Sequence, residues 1–206
     1  MSGALKVIEQ HPFVENFLAQ VHLALGAKNF PESALWLAKA KKVATERLQT
    51  LDLPGPKHEE WRFTRLKGLA AHRFAAAGKD VAVATALVED LWLTEAKTAR
   101  VVFINGRFSP VFSHVSGLPE GARVTTWREL IAGGESAVLR DRLGANPWFE
   151  DDLFYTLNSA LFEDGVVILV PRNTKVVDPI QVVYIGAGGE EPFATHPRNM
   201  IVAGEG

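Results

Sequence analysis

The chain has 206 residues, 47% hydrophobic and 22% charged, enough for one ordinary domain or two small ones and too rich in aliphatics for a disordered chain. Its formal charge is −2, from 22 lysines and arginines against 24 acidic residues, so no strong field recruits nucleic acid or an anionic membrane surface. There is no cysteine, which excludes disulfides and any thiolate ligand for zinc or iron within these residues.

The opening MSGALKVIEQHPF lacks the basic segment and long apolar block of a secretory signal, and no stretch reaches the roughly 20 apolar residues of a membrane helix. A cytoplasmic location is the default expectation. From Glu9 to Leu25, Phe13, Phe17, Val21 and Leu25 recur every four residues, which predicts an amphipathic helix ending at Gly26. A second helix is predicted to open at Pro31, where a missing N–H costs nothing, and to run through Leu35, Leu37, Ala38, Val43 and Leu48, with Trp36 as a core anchor. LDLPGPK at 51–57 breaks it. The period after Ala77 is mixed.

In VVFINGRFSPVF, Asn105-Gly106 separates Val101–Ile104 from Arg107–Phe112, and Asn-Gly supplies the two positive φ angles of a type I′ turn, so a two-residue hairpin is expected. Short connecting helices are predicted at Thr126–Ile131 and Ser136–Leu143, parted by Gly133-Gly134. From Pro147 to Phe162, Phe149, Leu153, Leu157 and Leu161 fall at steps of four, the mark of another helix. Glu150, Asp151 and Asp152 lie in its first turn, where negative charge suits the helix dipole, and Asp164-Gly165 stops it. Three β-rich pieces follow at 166–170, 180–185 and 200–203, joined by Pro- and Gly-bearing loops. Strands linked by turns and never by helices suggest stacked sheets or a solenoid, between which spacing alone does not choose. The sequence stops at Gly206 directly after an apolar strand, and solenoids need covered ends, so a truncated chain is expected.

Three stretches then carry a resemblance: PGPKHEEWRFTRLKGL from Pro54 to Leu69, FYTLNSALFEDGVVILVP from Phe154 to Pro171, and DPIQVVY with HPRNMIV. Together they look like the amino-terminal half of the SufD family, within the SufB/SufD group of iron–sulfur cluster assembly scaffolds. Lys57-Glu60-Trp61-Arg62 and Leu157-Asn158-Asp164-Gly165 are the most diagnostic positions. The resemblance implies an α+β chain: a mainly helical region over 1–98, a mixed region over 99–164, and over 165–206 the first turns of a right-handed parallel β-helix. It further implies a non-catalytic scaffold that acts with a SufB-like subunit and a SufC-like ATPase and holds an iron–sulfur cluster transiently at the level of the complex. The family's ATPase contacts and cluster-forming residues correspond to positions beyond Gly206, so no residue of this chain is assigned as catalytic, cofactor-binding or metal-binding. An open final strand also predicts self-association through the β edge.

The residues that invite a site have plainer readings. His58-Glu59-Glu60 suggests a zinc protease helix, but the second histidine four positions on is Arg62. A folding role with Trp61 docked and the charges solvated fits better. Lys57, Arg62, Arg65 and Lys67 form a modest basic cluster suited to an acidic partner surface, diluted by Glu59 and Glu60. The histidines at 11, 22, 58, 72, 114 and 196 show no ligand spacing; His196, before Pro197, suits a turn into the strand at 200. Gly186, Gly188 and Gly189 lack the strand–turn–helix context of a dinucleotide site. Asp151 and Asp152 fit a helix start, and Glu163 and Asp164 a helix exit, better than paired catalytic carboxylates. There is neither a phosphate-binding GxxxxGK[ST] loop nor a GxSxG elbow. The alternative reading is the N-terminal part of a β-helix enzyme acting on polysaccharide, with its carboxylates beyond residue 206.

Overall fold

The computed structural model describes residues 9–26, 30–78, 81–135, 137–140, 142–143 and 151–206. In chain order the helices among them are α1 (Pro12–Gly26), α2 (Leu35–Leu48), α3 (Lys67–Ala70), α4 (Thr85–Glu89), α5 (Trp127–Ala132), α6 (Ala137–Arg140) and α7 (Leu153–Leu161). The strands are β1 (Ala75–Ala76), β2 (Ala99–Ile104), β3 (Arg107–Phe108), β4 (His114–Val115), β5 (Arg123–Thr126), β6 (Val166–Val170), β7 (Ile180–Ile185), β8 (Phe193–Ala194) and β9 (Met200–Ala203). None of the described helices is long and apolar enough to cross a membrane. The chain divides into two units, one of Met1–Ala76, Glu135–Phe162 and Glu191–Ala194, the other of Ala77–Gly134, Glu163–Glu190 and Thr195–Gly206.

The first unit is helical. The stripe predicted for α1 is buried at Phe13, Phe17 and Val21, with Val14 beside them, and packs with Leu48 of α2 and Leu153, Leu157 and Leu161 of α7. The chain enters α1 under tight control: Gln10 Nε2 donates to the Leu48 carbonyl at 2.7 Å, and the His11 amide donates to Asp52 Oδ1 at 2.8 Å. These bonds tie the start of α1 to the end of α2, satisfying groups that helix ends otherwise leave unpaired. Strands β1 and β8 form a short parallel pair in the same unit.

Helix α2 departs from expectation at its start and on its inner face. A 3₁₀ turn, Glu32–Ala34, comes between Pro31 and the helix. The buried side is Leu37, Lys41, Ala44, Thr45 and Leu48, so Leu35 and Val43, expected inside, are 56% and 57% exposed. Trp36 is half-buried and lines an open cleft with Val43, Arg47 and Tyr155, so it is not the core anchor its type predicts. The face turned by one residue because Lys41 occupies the core: it is 4% exposed, its Nζ donates to the Ala160 and Phe162 carbonyls and stands 4.2 Å from the Phe162 ring centre. A long apolar stem with a cation at its tip is suited to the open carbonyl end of α7.

The described part of α7 starts at Leu153, with Asp152 as its N-cap accepting from the Tyr155 amide at 2.7 Å. Asp151 and Asp152 therefore precede the first turn, where an aspartate is a better cap than a helical residue. Phe149 and Glu150, placed in that helix by their spacing, lie outside the described residues, as does Ser136 of the predicted 136–143 helix, of which α6 is the described core.

The second unit is built on β2. It pairs antiparallel with β3 and β4 and parallel with β7 in the register Ala99↔Ile180 to Ile104↔Ile185. The Asn105-Gly106 turn is as predicted, with φ of 50° and 76° and Ile104 facing Arg107. Strand β3 is shorter than predicted, ending at Phe108, because Pro110 cannot donate to a ladder and the chain turns back to form β4. A second sheet has the order β5-β6-β9, antiparallel then parallel. The segments at 166–170, 180–185 and 200–203 are all strands, but β6 and β7 join different sheets. Val101 and Phe103 of β2 meet Val166 and Ile168 of β6 in one core. Thr126 and Glu129 form a capping box that starts α5.

Candidate functional site

The three stretches singled out in the sequence meet in pairs. In the helical unit, the first reaches the second through aromatic contact: the Trp61 ring lies 4.9 Å from that of Phe154 on α7. Glu59–Trp61 is a single 3₁₀ turn, and His58 Nδ1 accepts from the Gly55 amide at 3.0 Å. His58 therefore organises a turn, and Trp61 docks as expected with the neighbouring charges in water. Phe63, two residues on, is 88% exposed, with the Arg62 guanidinium 5.2 Å from its ring centre. Beside this segment runs a groove of about 920 Å³ whose walls include Leu51, Asp52, Leu53, Glu60, Trp61 and Asp151.

In the β unit, the second stretch meets the third. The Asp164 carbonyl accepts from the Arg198 amide at 3.1 Å, the Val166 amide donates to Asn199 Oδ1 at 3.2 Å, and Tyr184 Oη donates to that same oxygen. Trp127, fully buried at the start of α5, donates its indole N–H to the Arg198 carbonyl at 2.7 Å. Gly165 makes the approach possible, since a Cβ there would fall 2.0 Å from the Arg198 carbonyl oxygen.

Asp164 lies at the centre, 1% exposed. Its Oδ1 accepts from the Gly165 and Arg128 amides at 2.9 and 3.2 Å, while Oδ2 has no hydrogen bond and faces Arg128 Nε at 3.7 Å. Burial pushes its pKa above the ordinary carboxylate value, against the pull of the two amides and of Arg128. The Tyr184 hydroxyl is likewise raised by burial, opposed by its bond to Asn199. This arrangement fixes backbone: an acid, an amide and an indole hold two chain segments in register.

The other residues weighed in the sequence fall where their plain readings put them. Asp151 pairs with Arg47, Asp152 caps α7, and Glu163 pairs with Arg107 at 3.4 Å. Gly186, Gly188 and Gly189 belong to the coil between β7 and β8, with no helix after them. His196 is half-buried just ahead of β9. Among the described residues no group of three or more His, Asp or Glu is arranged to hold a metal ion. Three residues do more in the fold than their sequence context indicates. Lys41 reads as a solvated helix lysine, and Trp127 as part of a connector. Asn105 reads as a turn residue only, yet its side chain donates to the Gly78 and Ala187 carbonyls and accepts from the Ala187 amide; the Asn-Gly pair flags the turn and gives no sign of these bonds.

With this architecture in view, the chain is of a recognisable class: residues 27–182 match the family described as the SufBD protein N-terminal region. It is 34% identical over 166 residues to an iron–sulfur cluster assembly SufBD family protein of Synechocystis sp., covering 81% of this chain and 36% of that protein. It is 26% identical over 200 residues to the iron–sulfur cluster assembly protein SufD of Escherichia coli, covering 95% of this chain and 42% of that one. A chloroplastic protein of Arabidopsis thaliana, ABCI7, is 26% identical over 202 residues, 40% of its length. The chain belongs to the SufB/SufD family and spans about two fifths of the length of these relatives.

Proposed function

We propose that the chain serves iron–sulfur cluster assembly as the N-terminal part of a SufD-type scaffold that is not itself an enzyme. The match of residues 27–182 to the family's N-terminal region carries this reading, and the names of its Synechocystis and E. coli relatives point the same way. The cluster is cargo here, held transiently by a complex with a SufB-like subunit and a SufC-like ATPase, since this chain brings no thiolate of its own. Its place of work is the cytoplasm.

In this reading β6, β7 and β9 open a right-handed parallel β-helix. The parallel pairing of β6 with β9 supports it, because these strands are joined through β7, β8 and loops with no helix between them, and parallel strands joined without helices are what a coil stacks. The outer edges of such strands are also the surface through which the scaffold self-associates.

Co-expression of the full-length protein with the SufB-like and SufC-like proteins of the same genome tests the proposal. Co-elution of all three, with ATP hydrolysis confined to the SufC-like subunit, is the expected result. A full-length protein that associates with neither rejects it.

A further inference from the structure

Helix α2 presents two faces. Leu37, Lys41, Ala44 and Leu48 enter the core, while Trp36, Ala40, Val43 and Arg47, each one residue earlier in the helix, make a second face with the same spacing. This second face lines a cleft of about 640 Å³, as do Tyr155 and Ser159, one turn apart on α7. The cleft lies wholly within the helical unit, and its volume falls in the range of roughly 300–1,000 Å³ that small-molecule sites occupy.

Its lining combines apolar surface with positive charge. Val43 is 57% exposed and Trp36 half-buried, although the core beside them would reward the burial of both. Three cations, Lys39, Arg47 and Arg140, also line the cleft, and among the described residues that do so there is no carboxylate. In a chain with more acidic than basic residues, that is a local imbalance. Asp151, outside the lining, offsets part of the Arg47 charge through their ion pair. Lys39 and Arg140, both exposed, add positive charge where the cleft meets water. The rings of Trp36 and Tyr155 offer flat faces for stacking, and ammonium and guanidinium groups bind anionic oxygens through charge-assisted hydrogen bonds. A lining with cations and no acid selects against a cationic ligand.

We propose that the cleft between α2 and α7 binds a small aromatic anion, a body of one or two rings held against Trp36, Val43 and Tyr155, with its carboxylate, sulfonate or phosphate on Lys39 and Arg140. The proposal stands on the helical unit alone and is independent of the assembly reading and of the strand edges.

Fluorescence titration of the full-length protein with anilinonaphthalene sulfonate tests it, with phenylnaphthylamine, the uncharged analogue, as the comparison. Saturable binding of the sulfonate is expected, weaker in high salt and about tenfold tighter than that of the uncharged analogue. Lys39→Glu/Arg140→Glu is expected to bind the sulfonate about tenfold more weakly than wild type or worse, and to bind the uncharged analogue as before. Val43→Glu, at an exposed position, is expected to weaken both probes without lowering the melting temperature. Lys39→Gln/Arg140→Gln should fall between wild type and the charge-reversed pair, an order that follows charge and that a folding defect would not produce. Lys67→Glu, a cation outside the cleft, should bind as wild type does. Absence of saturable binding overturns the proposal. So does sulfonate binding that ignores the changes at positions 39 and 140, which would put the probe elsewhere, and so does equal affinity for the two probes, which would make the cleft a plain apolar surface.

Discussion

The carbonyl oxygen of Arg198 occupies the space into which any side chain at position 165 would grow: a Cβ there would lie 2.0 Å from that oxygen and 2.6 Å from its carbon. Both are backbone atoms held by further bonds, the carbonyl by the Trp127 indole and the amide by the Asp164 carbonyl. Neither a rotamer change nor a flexible tip can relieve the overlap, so the segments ahead of β6 and β9 have to separate. Gly165→Ala is expected to destabilise the protein by about 3 kcal/mol, the upper end of what overpacking costs. Urea denaturation gives the value, and a loss below about 1 kcal/mol would mean that the contact yields more easily than the geometry allows.

Lys41 invites the converse experiment, removal of a buried group. Its ammonium supplies hydrogen bonds to two carbonyls at the end of α7, at Ala160 and Phe162. Lys41→Met keeps most of the apolar stem and strips the donor, leaving those carbonyls without it in a buried setting. A loss of about 2–3 kcal/mol is expected from the unsatisfied acceptors. Hydrogen exchange should localise the effect to the last turn of α7 and spare the β unit. A neutral result would show that water or another donor replaces the ammonium at no cost.

Asp164 predicts a pH dependence whose sign follows from the direction of its shift. An acid whose folded-state pKa is raised holds its proton more tightly in the fold than in the unfolded chain. Its contribution to stability is therefore complete below the ordinary carboxylate value and is lost as pH rises through the raised folded value. Asp164→Asn keeps an acceptor for the Gly165 and Arg128 amides and removes the titration. Relative to wild type, the variant should gain stability as pH rises above the ordinary carboxylate value, read from urea midpoints across a pH series. A difference that shrinks with rising pH would instead make the Arg128 attraction, at 3.7 Å, the dominant influence.

The sequence made some of this legible and concealed the rest for physical reasons. The stripe of Phe13, Phe17 and Val21 and the runs at 166–170, 180–185 and 200–203 are local periodicities, so they revealed α1, β6, β7 and β9 directly. Sheet membership is a long-range property: nothing near Ile180 indicates that its partner is Ala99, in a sheet that excludes β6. The buried face of α2 is hidden in the sequence because a lysine counts as polar, and only the carbonyls of residues 160 and 162 explain why Lys41 turns inward. Asp164-Gly165 was readable as a helix stop. Its role in gripping Arg198 was not, because the close approach involves backbone that no side-chain pattern records.

Trp61 and Phe63 separate folding from surface within three residues. Trp61 contributes to the helical unit through its contact with Phe154, 4.9 Å between ring centres at an interplanar angle of 35°. Removing the ring forfeits that contact and the apolar area it covers, so Trp61→Ala is expected to cost about 2 kcal/mol. Phe63, exposed to 88%, has little burial to lose, and Phe63→Ser should change stability by no more than about 0.5 kcal/mol. Thermal melts of both variants at low protein concentration decide the matter, since there any association adds nothing to the apparent stability. Equal losses at the two positions would place Phe63 in the folded core of the unit and remove the basis for treating it as surface.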